Sequence, residues 1–141
     1  MTAKNSYCVP GLPAGDYVSN YMSGGTVAAQ DKLKQTPDKM VRFMTGALKG
    51  YLLFTSRREA SVDYMMQFLK SKDREAISAI YDASVKVMTR DGTVEEKVLH
   101  AVVEDVQRAA GVKKEFRSAD YFDFSFLRRA REQLKASGWR P

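Results

Sequence analysis

The chain has 141 residues and a mass of 15.9 kDa, which fits one domain long enough to bury a core. Hydrophobic residues make up 44% of it and charged residues 28%, a balance that excludes an intrinsically disordered chain. The net charge of +6 permits an acidic partner but does not identify one.

The N-terminus and the apolar runs give no sign of export or membrane insertion. The first 15 residues lack the apolar core of a signal peptide. The most apolar run, Gly46–Phe54, contains Lys49 and is far shorter than the roughly 20 residues that span a bilayer. We therefore expect a chain without membrane insertion, cytoplasmic as written, and periplasmic if it is a fragment of a longer exported protein.

Residues 1–25 are predicted to be a loop-rich N-terminal segment, since six of the chain's 9 Gly and 4 Pro residues lie there. Thr26–Gln30 (TVAAQ) is the only short run that favours a strand, although it does not alternate strictly. Residues 26–141 are then predicted to form a single helical domain.

The helical pattern starts at Thr36-Pro37-Asp38, which reads as a hydroxyl N-cap, a proline at the first helical position and an acid near the positive end of the helix dipole. A broad apolar stripe runs from there to Phe54. Gly46 and Gly50 lie four residues apart within the stripe, and this spacing indicates close helix packing. Ser56 to Glu59 has the spacing of a capping box, which predicts that a second helix begins there.

The next helix is predicted to be capped by Asp73. The stretch TRDGTVEEKV that follows it is not a calcium loop, because placing Gly92 at the sixth position puts Val87 and Val98 at ligand positions. It instead predicts a turn at Asp91-Gly92 and a capping box from Thr93 to Glu96. The following helix is predicted to end at Gly111 in a left-handed cap, with an apolar face made of Val98, Leu99, Val102, Val106 and Ala109.

The elements together predict a mainly α fold with at most one or two short strands near the N-terminus. Five longer helices and a short one after Gln30 sum to roughly 60% of the chain, well above the usual third.

Chemistry-bearing side chains are few. Glu96, His100 and Glu104 share a helix face at four-residue spacing, but zinc needs three or four ligands in a fixed shell and no second cluster accompanies them. Cys8 and His100 are far apart, and the glycine-rich run from Ser23 to Thr26 lacks the lysine of a phosphate loop. We therefore predict no catalytic residue, no metal site and no cofactor, and a protein that is not an enzyme.

Basic residues occur as short separate clusters, at Arg57-Arg58, Lys113-Lys114 and Arg128-Arg129 with Arg131. No nucleic-acid-binding motif accompanies them, so solvated surface is favoured over a nucleic-acid site.

The segment Gln30–Phe54 resembles a helical part of the substrate-binding proteins of ABC importers, in the branch that takes sulfonates, nitrate or thiamine precursors. The helix motif of that family is matched by Pro37, Asp38, Val41, Phe43, Ala47, Lys49 and Gly50. Further similarity follows at Asp73–Glu75, the turn beginning at Arg90, Gly111–Lys114 and Asp120–Asp123, so that it extends from Asp16 to Trp139. Family members are about twice this length by typical two-lobe domain sizes.

The resemblance implies the helical C-terminal portion of a type II periplasmic-binding-protein-like fold. In that family the solute lies between two lobes, and here Tyr17, Tyr21, Ser23 and Thr26 would line the cleft. We expect a partial solute-binding protein that binds a small molecule weakly at most in isolation. The alternative is a cytosolic helical interaction module without a ligand pocket.

The resemblance also suggests a partner. In the family, the strand that corresponds to Thr26–Gln30 pairs inside a larger sheet, and the helix that corresponds to Pro37–Phe54 packs on that sheet. An unpaired strand edge and an uncovered apolar stripe both favour association with another chain. We therefore predict a two-fold homodimer through these two segments.

Overall fold

The computed structural model describes residue 22, residues 24–114 and residues 116–141. Of these described residues 69% are helical, with six helices and no strand. The prediction of a mainly α fold is confirmed. The helices are α1 (Gln30–Gln35), α2 (Pro37–Ser56), α3 (Arg58–Phe68), α4 (Arg74–Val87), α5 (Glu96–Ala110) and α6 (Ser125–Ala136), with a 3₁₀ turn at Ser118–Asp120.

The strand predicted at Thr26–Gln30 is wrong. The segment has no regular structure up to Ala29, and Gln30 is already the first residue of α1. The Ala29 carbonyl accepts the N–H groups of Lys32 and Leu33 at 3.0 and 3.2 Å. Helix-forming alanines and the glutamine thus begin a helical turn, and the main-chain groups there bond locally instead of to a neighbouring strand.

The larger of two apolar clusters lies between α2 and α6. Leu48 on α2 and three residues on α6 are buried in it, and Lys49 places its ammonium 5.7 Å from the centre of the Trp139 ring at its edge. The buried members are Leu48, Leu127, Ala130 and Leu134, flanked by Met44, Leu52, Phe124 and Trp139. Burial of this apolar surface is what holds the first and last long helices together.

The second cluster joins α3 and α4 to the end of α2. Val62, Ile77 and Tyr81 are buried in it, and the Phe54 ring lies 5.0 Å from the Tyr81 ring. The main-chain carbonyl of Phe54 accepts the hydroxyls of Tyr81, at 2.7 Å, and of Ser61, at 3.1 Å. One carbonyl near the end of α2 thus holds both following helices.

Three hydroxyls predicted as helix caps bond elsewhere. Thr36 does occupy the N-cap position before Pro37, but its hydroxyl donates backwards to the Lys32 carbonyl at 3.1 Å. The Ser56 hydroxyl donates to the Leu52 carbonyl at 2.6 Å, so the predicted capping box is wrong. Short polar side chains compete in this way for nearby main-chain groups.

The third is Thr93, whose hydroxyl and N–H both donate to the Asp91 carboxylate, at 2.6 and 2.9 Å. Helix α5 begins only at Glu96, after the N-cap Glu95, so the predicted Thr93–Glu96 box is also wrong. The Asx turn at Asp91 uses the Thr93 hydroxyl, which a helix cap would need as a hydrogen-bond acceptor. Arg131 of α6 donates to the Asp91 carbonyl at 2.6 Å and holds this turn against α6.

Two other predicted signals are confirmed. The Asp73 carboxylate accepts the Ala76 N–H at 2.9 Å and caps α4. Gly111 ends α5 with a φ of 64°, in the left-handed region that favours glycine.

Two predicted faces are corrected. A methyl group added at Gly46 or Gly50 would meet nothing within 4 Å, so these glycines face outward rather than into a close helix contact. The contact with α6 uses the other side of α2, where Leu48 lies. On α5 the buried residues are Val98, Leu99 and Val103, whereas Val106, which we predicted to lie on that face, is 62% exposed.

Among the described residues, no helix combines the length and the apolar character that crossing a membrane requires.

Replacement of Asp73 by Ala should lower the free energy of unfolding by about 1 kcal/mol, because it removes the carboxylate that caps α4. Chemical denaturation monitored by circular dichroism at pH 7 measures the change. Asp73→Ser, which keeps a capping oxygen, serves as the matched control and should retain most of the stability. Equal losses in the two variants would show that the cap hydrogen bond is not what Asp73 contributes.

Candidate functional site

Of the four residues predicted to line a solute cleft, only one lies in the described part of the chain. Thr26 is exposed in the irregular segment before α1. Tyr17, Tyr21 and Ser23 lie outside the described residues. Whether the four residues lie together therefore stays a prediction.

A groove of about 280 Å³ lies between the C-terminal half of α5 and the segment 112–122, of which residues 112–114 and 116–122 are described. Its volume is just below the range typical of small-molecule sites. The residues that line the groove are aliphatic or aromatic, except for the polar Gln107. They include Val102, Val106, Ala110, Val112, Phe116 and Tyr121.

The local sequence builds this groove by reversing the chain after α5. Gly111 supplies the left-handed residue, and the Val112 N–H bonds to the Gln107 carbonyl at 3.1 Å. The Gln107 side-chain amide donates to the Lys114 carbonyl and fixes the returning segment. The Phe116 and Tyr121 rings then meet edge to face with their centres 5.4 Å apart, and they form the far wall.

Charged residues are adjacent in the chain to the groove residues Phe116 and Tyr121. Arg117 donates to the Asp120 carboxylate at 2.8 Å, and this hydrogen bond holds the pKa of Asp120 below its usual value. The Lys114 ammonium lies 5.6 Å from the centre of the Phe116 ring. The groove thus presents an apolar floor with a cation at its rim, an arrangement suited to binding rather than to proton or group transfer.

This groove was not predicted from the sequence. Val102 and Val106 were predicted to lie on the apolar face of the helix that ends at Gly111, and Asp120–Asp123 were named only for the family resemblance. The available signal was an excess of apolar residues: Val102 and Val106 extend the apolar side of α5 beside Leu99 and Val103, and Val112 follows just after the helix ends.

Of the three side chains that share a face of α5, two pair with each other and the third bonds to a residue outside the helix. His100 Nδ1 lies 3.3 Å from Glu104 Oε1, while the Glu96 carboxylate accepts the Ser118 hydroxyl. His100 is exposed. Within the described part of the chain, no group of three or more His, Cys, Asp or Glu side chains is placed to hold a metal ion.

A network of ion pairs joins α3 to α4. The Arg58 guanidinium donates to both carboxylate oxygens of Asp82, at 2.9 and 2.8 Å. Arg74 donates to Glu59 at 2.7 Å and also bonds to Asp63. The hydrogen bonds from Arg58 and from Arg74 lower the pKa of Asp82 and of Glu59, respectively. These charges neutralise each other on an open surface, and the network is better explained as a helix–helix clamp than as a ligand site.

Acidification should weaken this clamp. A carboxyl group whose folded pKa is depressed stabilises the fold above its unfolded pKa and loses that contribution as the pH falls through the folded value. The contributions of Asp82 and Glu59 should therefore be complete at pH 7 and decline below about pH 4. Asp82→Asn should lower the melting temperature more at pH 7 than at pH 3. A difference of the same size at both pH values would contradict the role of the Asp82 charge.

Comparisons of the chain with protein-family models, with curated proteins and with solved structures find no match. Three features remain from which a function can be proposed: the groove beside α5, the outward face of α2, and the predicted solute residues near the N-terminus.

Proposed function

We propose that this chain is the helical part of a solute-binding fold related to the substrate-binding components of ABC importers. In isolation it binds a small solute weakly at most, and it has no catalytic activity. The proposal starts from the resemblance of Gln30–Phe54 to that family and is supported above all by the outward face of α2.

The outward face of α2 consists of Phe43, Gly46, Ala47, Gly50 and Leu53, which are all exposed. Their spacing of three and four residues places them on one side of the helix. Gly46 and Gly50 leave this side smooth, because nothing lies within 4 Å of where their side chains would be. A smooth apolar helix face of this kind suits packing on a further layer of structure, and in the resembled family that layer is a sheet.

The solute would contact Tyr17, Tyr21, Ser23 and Thr26. Each of these side chains carries a hydroxyl that can donate to an anion such as a sulfonate or nitrate. Only part of a cleft would be supplied by these residues, so binding should be weak and observable at millimolar concentrations of solute.

Thermal unfolding with added solute tests this proposal. A ligand of the folded state raises the melting temperature in proportion to RT ln(1 + [L]/Kd). An alkyl sulfonate, nitrate and an aminopyrimidine should be compared with chloride at equal ionic strength. The expected result is a small rise with one of the three, reduced in a Tyr21→Phe, Thr26→Val double variant. No rise above the chloride control with any of them would contradict solute binding.

The alternative is a cytosolic helical interaction module that lacks a ligand pocket, and the exposed apolar residues of α3 and α4 favour it. Tyr64 and Phe68 stack with their ring centres 6.1 Å apart at the surface, and Val87 is 83% exposed. A module of this kind would act in the cytoplasm, whereas the binding-protein proposal places the chain in the periplasm. A response to a protein partner without any response to solutes would favour the module.

For either candidate we propose a second copy of this chain as a partner, in a two-fold dimer through the outward face of α2. The strand edge at Thr26–Gln30 no longer contributes to this proposal, because Gln30 begins a helix. The apolar face of Pro37–Phe54 remains its basis.

A further inference from the structure

The groove between α5 and the segment 112–122 leaves large apolar side chains in contact with water. Val106, Val112 and Tyr121 are 62%, 43% and 59% exposed, and all three line it. Water in contact with this concentrated apolar surface would be released by an apolar ligand, which is the main driving force for such binding.

The charged residues that are adjacent in the chain to the groove residues limit what that ligand can be. Arg117 is paired with Asp120 at 2.8 Å, and Arg108 with Asp105 at 3.5 Å. Lys113 and Lys114 directly follow the groove residue Val112, and the Lys114 ammonium lies over the Phe116 ring that forms one wall. A ligand with an apolar body and one negative end therefore matches both the floor and the rim of the groove.

We propose that this groove binds a free medium-chain carboxylate. The alkyl chain lies against Val102, Val106 and Val112, and the carboxylate accepts a hydrogen bond from the Lys114 ammonium. A charge-assisted hydrogen bond of this type is stronger than a neutral one and fixes the direction of the chain. The residues that form this groove are not those near the N-terminus to which solute binding is assigned above.

Isothermal titration calorimetry with sodium hexanoate, octanoate and decanoate, each below its micellar concentration, tests the proposal. The expected result is saturable binding of one ligand per chain, with Kd falling about fourfold per added methylene until the groove is filled. Decanol should bind more weakly than decanoate, and Lys114→Met should reduce the affinity for decanoate to that for decanol.

Val106→Glu should abolish decanoate binding, because it places a carboxylate on the groove floor where the alkyl chain lies. Val87→Glu is the matched control, since Val87 is exposed near the end of α4 and outside the groove. Tyr121→Ser provides a second groove variant, and circular dichroism confirms that each variant is folded.

Three results would overturn the proposal. They are binding that does not saturate, equal weakening by Val106→Glu and Val87→Glu, or binding of decyltrimethylammonium as tight as that of decanoate. Nitrate has no alkyl chain to lie in the groove, and the Tyr21→Phe, Thr26→Val double variant leaves the groove residues unchanged. The response to nitrate and its loss in that variant therefore distinguish failure of the proposed solute binding from failure of the groove site.

Discussion

Replacement of Leu48 by Ala should lower the free energy of unfolding by about 2–5 kcal/mol, the usual range for truncating a buried leucine. Leu48 is only 3% exposed and is the α2 member of the cluster that holds α6. A loss of this size is a large share of the roughly 5–15 kcal/mol that stabilises a typical domain. Urea denaturation followed by circular dichroism at 222 nm (the usual helix band) measures it, and the variant should be partly unfolded at 37 °C.

Leu53→Ala provides the control on the same helix. Leu53 is 38% exposed on the outward face, so the same truncation removes much less buried surface and should cost well under half as much. Equal losses from Leu48→Ala and Leu53→Ala at high protein concentration would show that the outward face is covered in solution. Equal losses at high dilution as well would contradict the assignment of Leu48 to the core.

The second large effect concerns the mass of the protein in solution. Static light scattering at increasing concentration should give an apparent mass that rises from 15.9 kDa towards twice this value, as two copies associate through the outward face of α2. Phe43→Glu should hold the mass at 15.9 kDa, because a carboxylate buried in the contact without a partner is strongly unfavourable.

Phe68→Glu is the matched control for the dimer. Phe68 is more exposed than Phe43, at 72% against 54%, and lies on α3 rather than on α2. The Phe68→Glu variant should associate as the wild-type chain does. A wild-type chain that stays at 15.9 kDa at all concentrations would show that α2 needs no second copy to cover it.

Helix content and the starts of two helices followed directly from the sequence, because both depend on neighbouring residues. Pro37 and Asp73 fix helix starts through their own geometry and hydrogen bonding. Thr36, Ser56 and Thr93 carry the same local signal, yet each hydroxyl has a competing main-chain or carboxylate acceptor nearby. Composition at a helix start does not reveal which acceptor is closer, so the capping boxes were predicted where none forms.

The faces of the helices were harder to predict than the helices themselves. Gly46 and Gly50 would fit a close helix contact, but α6 packs on the opposite side of α2. The spacing of apolar residues along one helix does not show which of its sides another helix covers. The groove beside α5 was missed for the same reason, since it depends on where the segment 112–122 folds back. Of the residues predicted to line a solute cleft, Thr26 is the one that the structure describes, and it is exposed.

The two apolar clusters meet α2 at different places, and hydrogen exchange should show this separation. Helix α2 has 20 residues and is therefore about 30 Å long; the α6 cluster contacts it at Met44, Leu48 and Leu52, and the other cluster contacts it at Phe54. Helices α3 and α4 can thus open by releasing Phe54 while α6 stays in place. Their amides should share one opening free energy and the amides of α6 another, and the amides of α2 from Met44 to Leu52 should exchange together with those of α6, because the same cluster covers both.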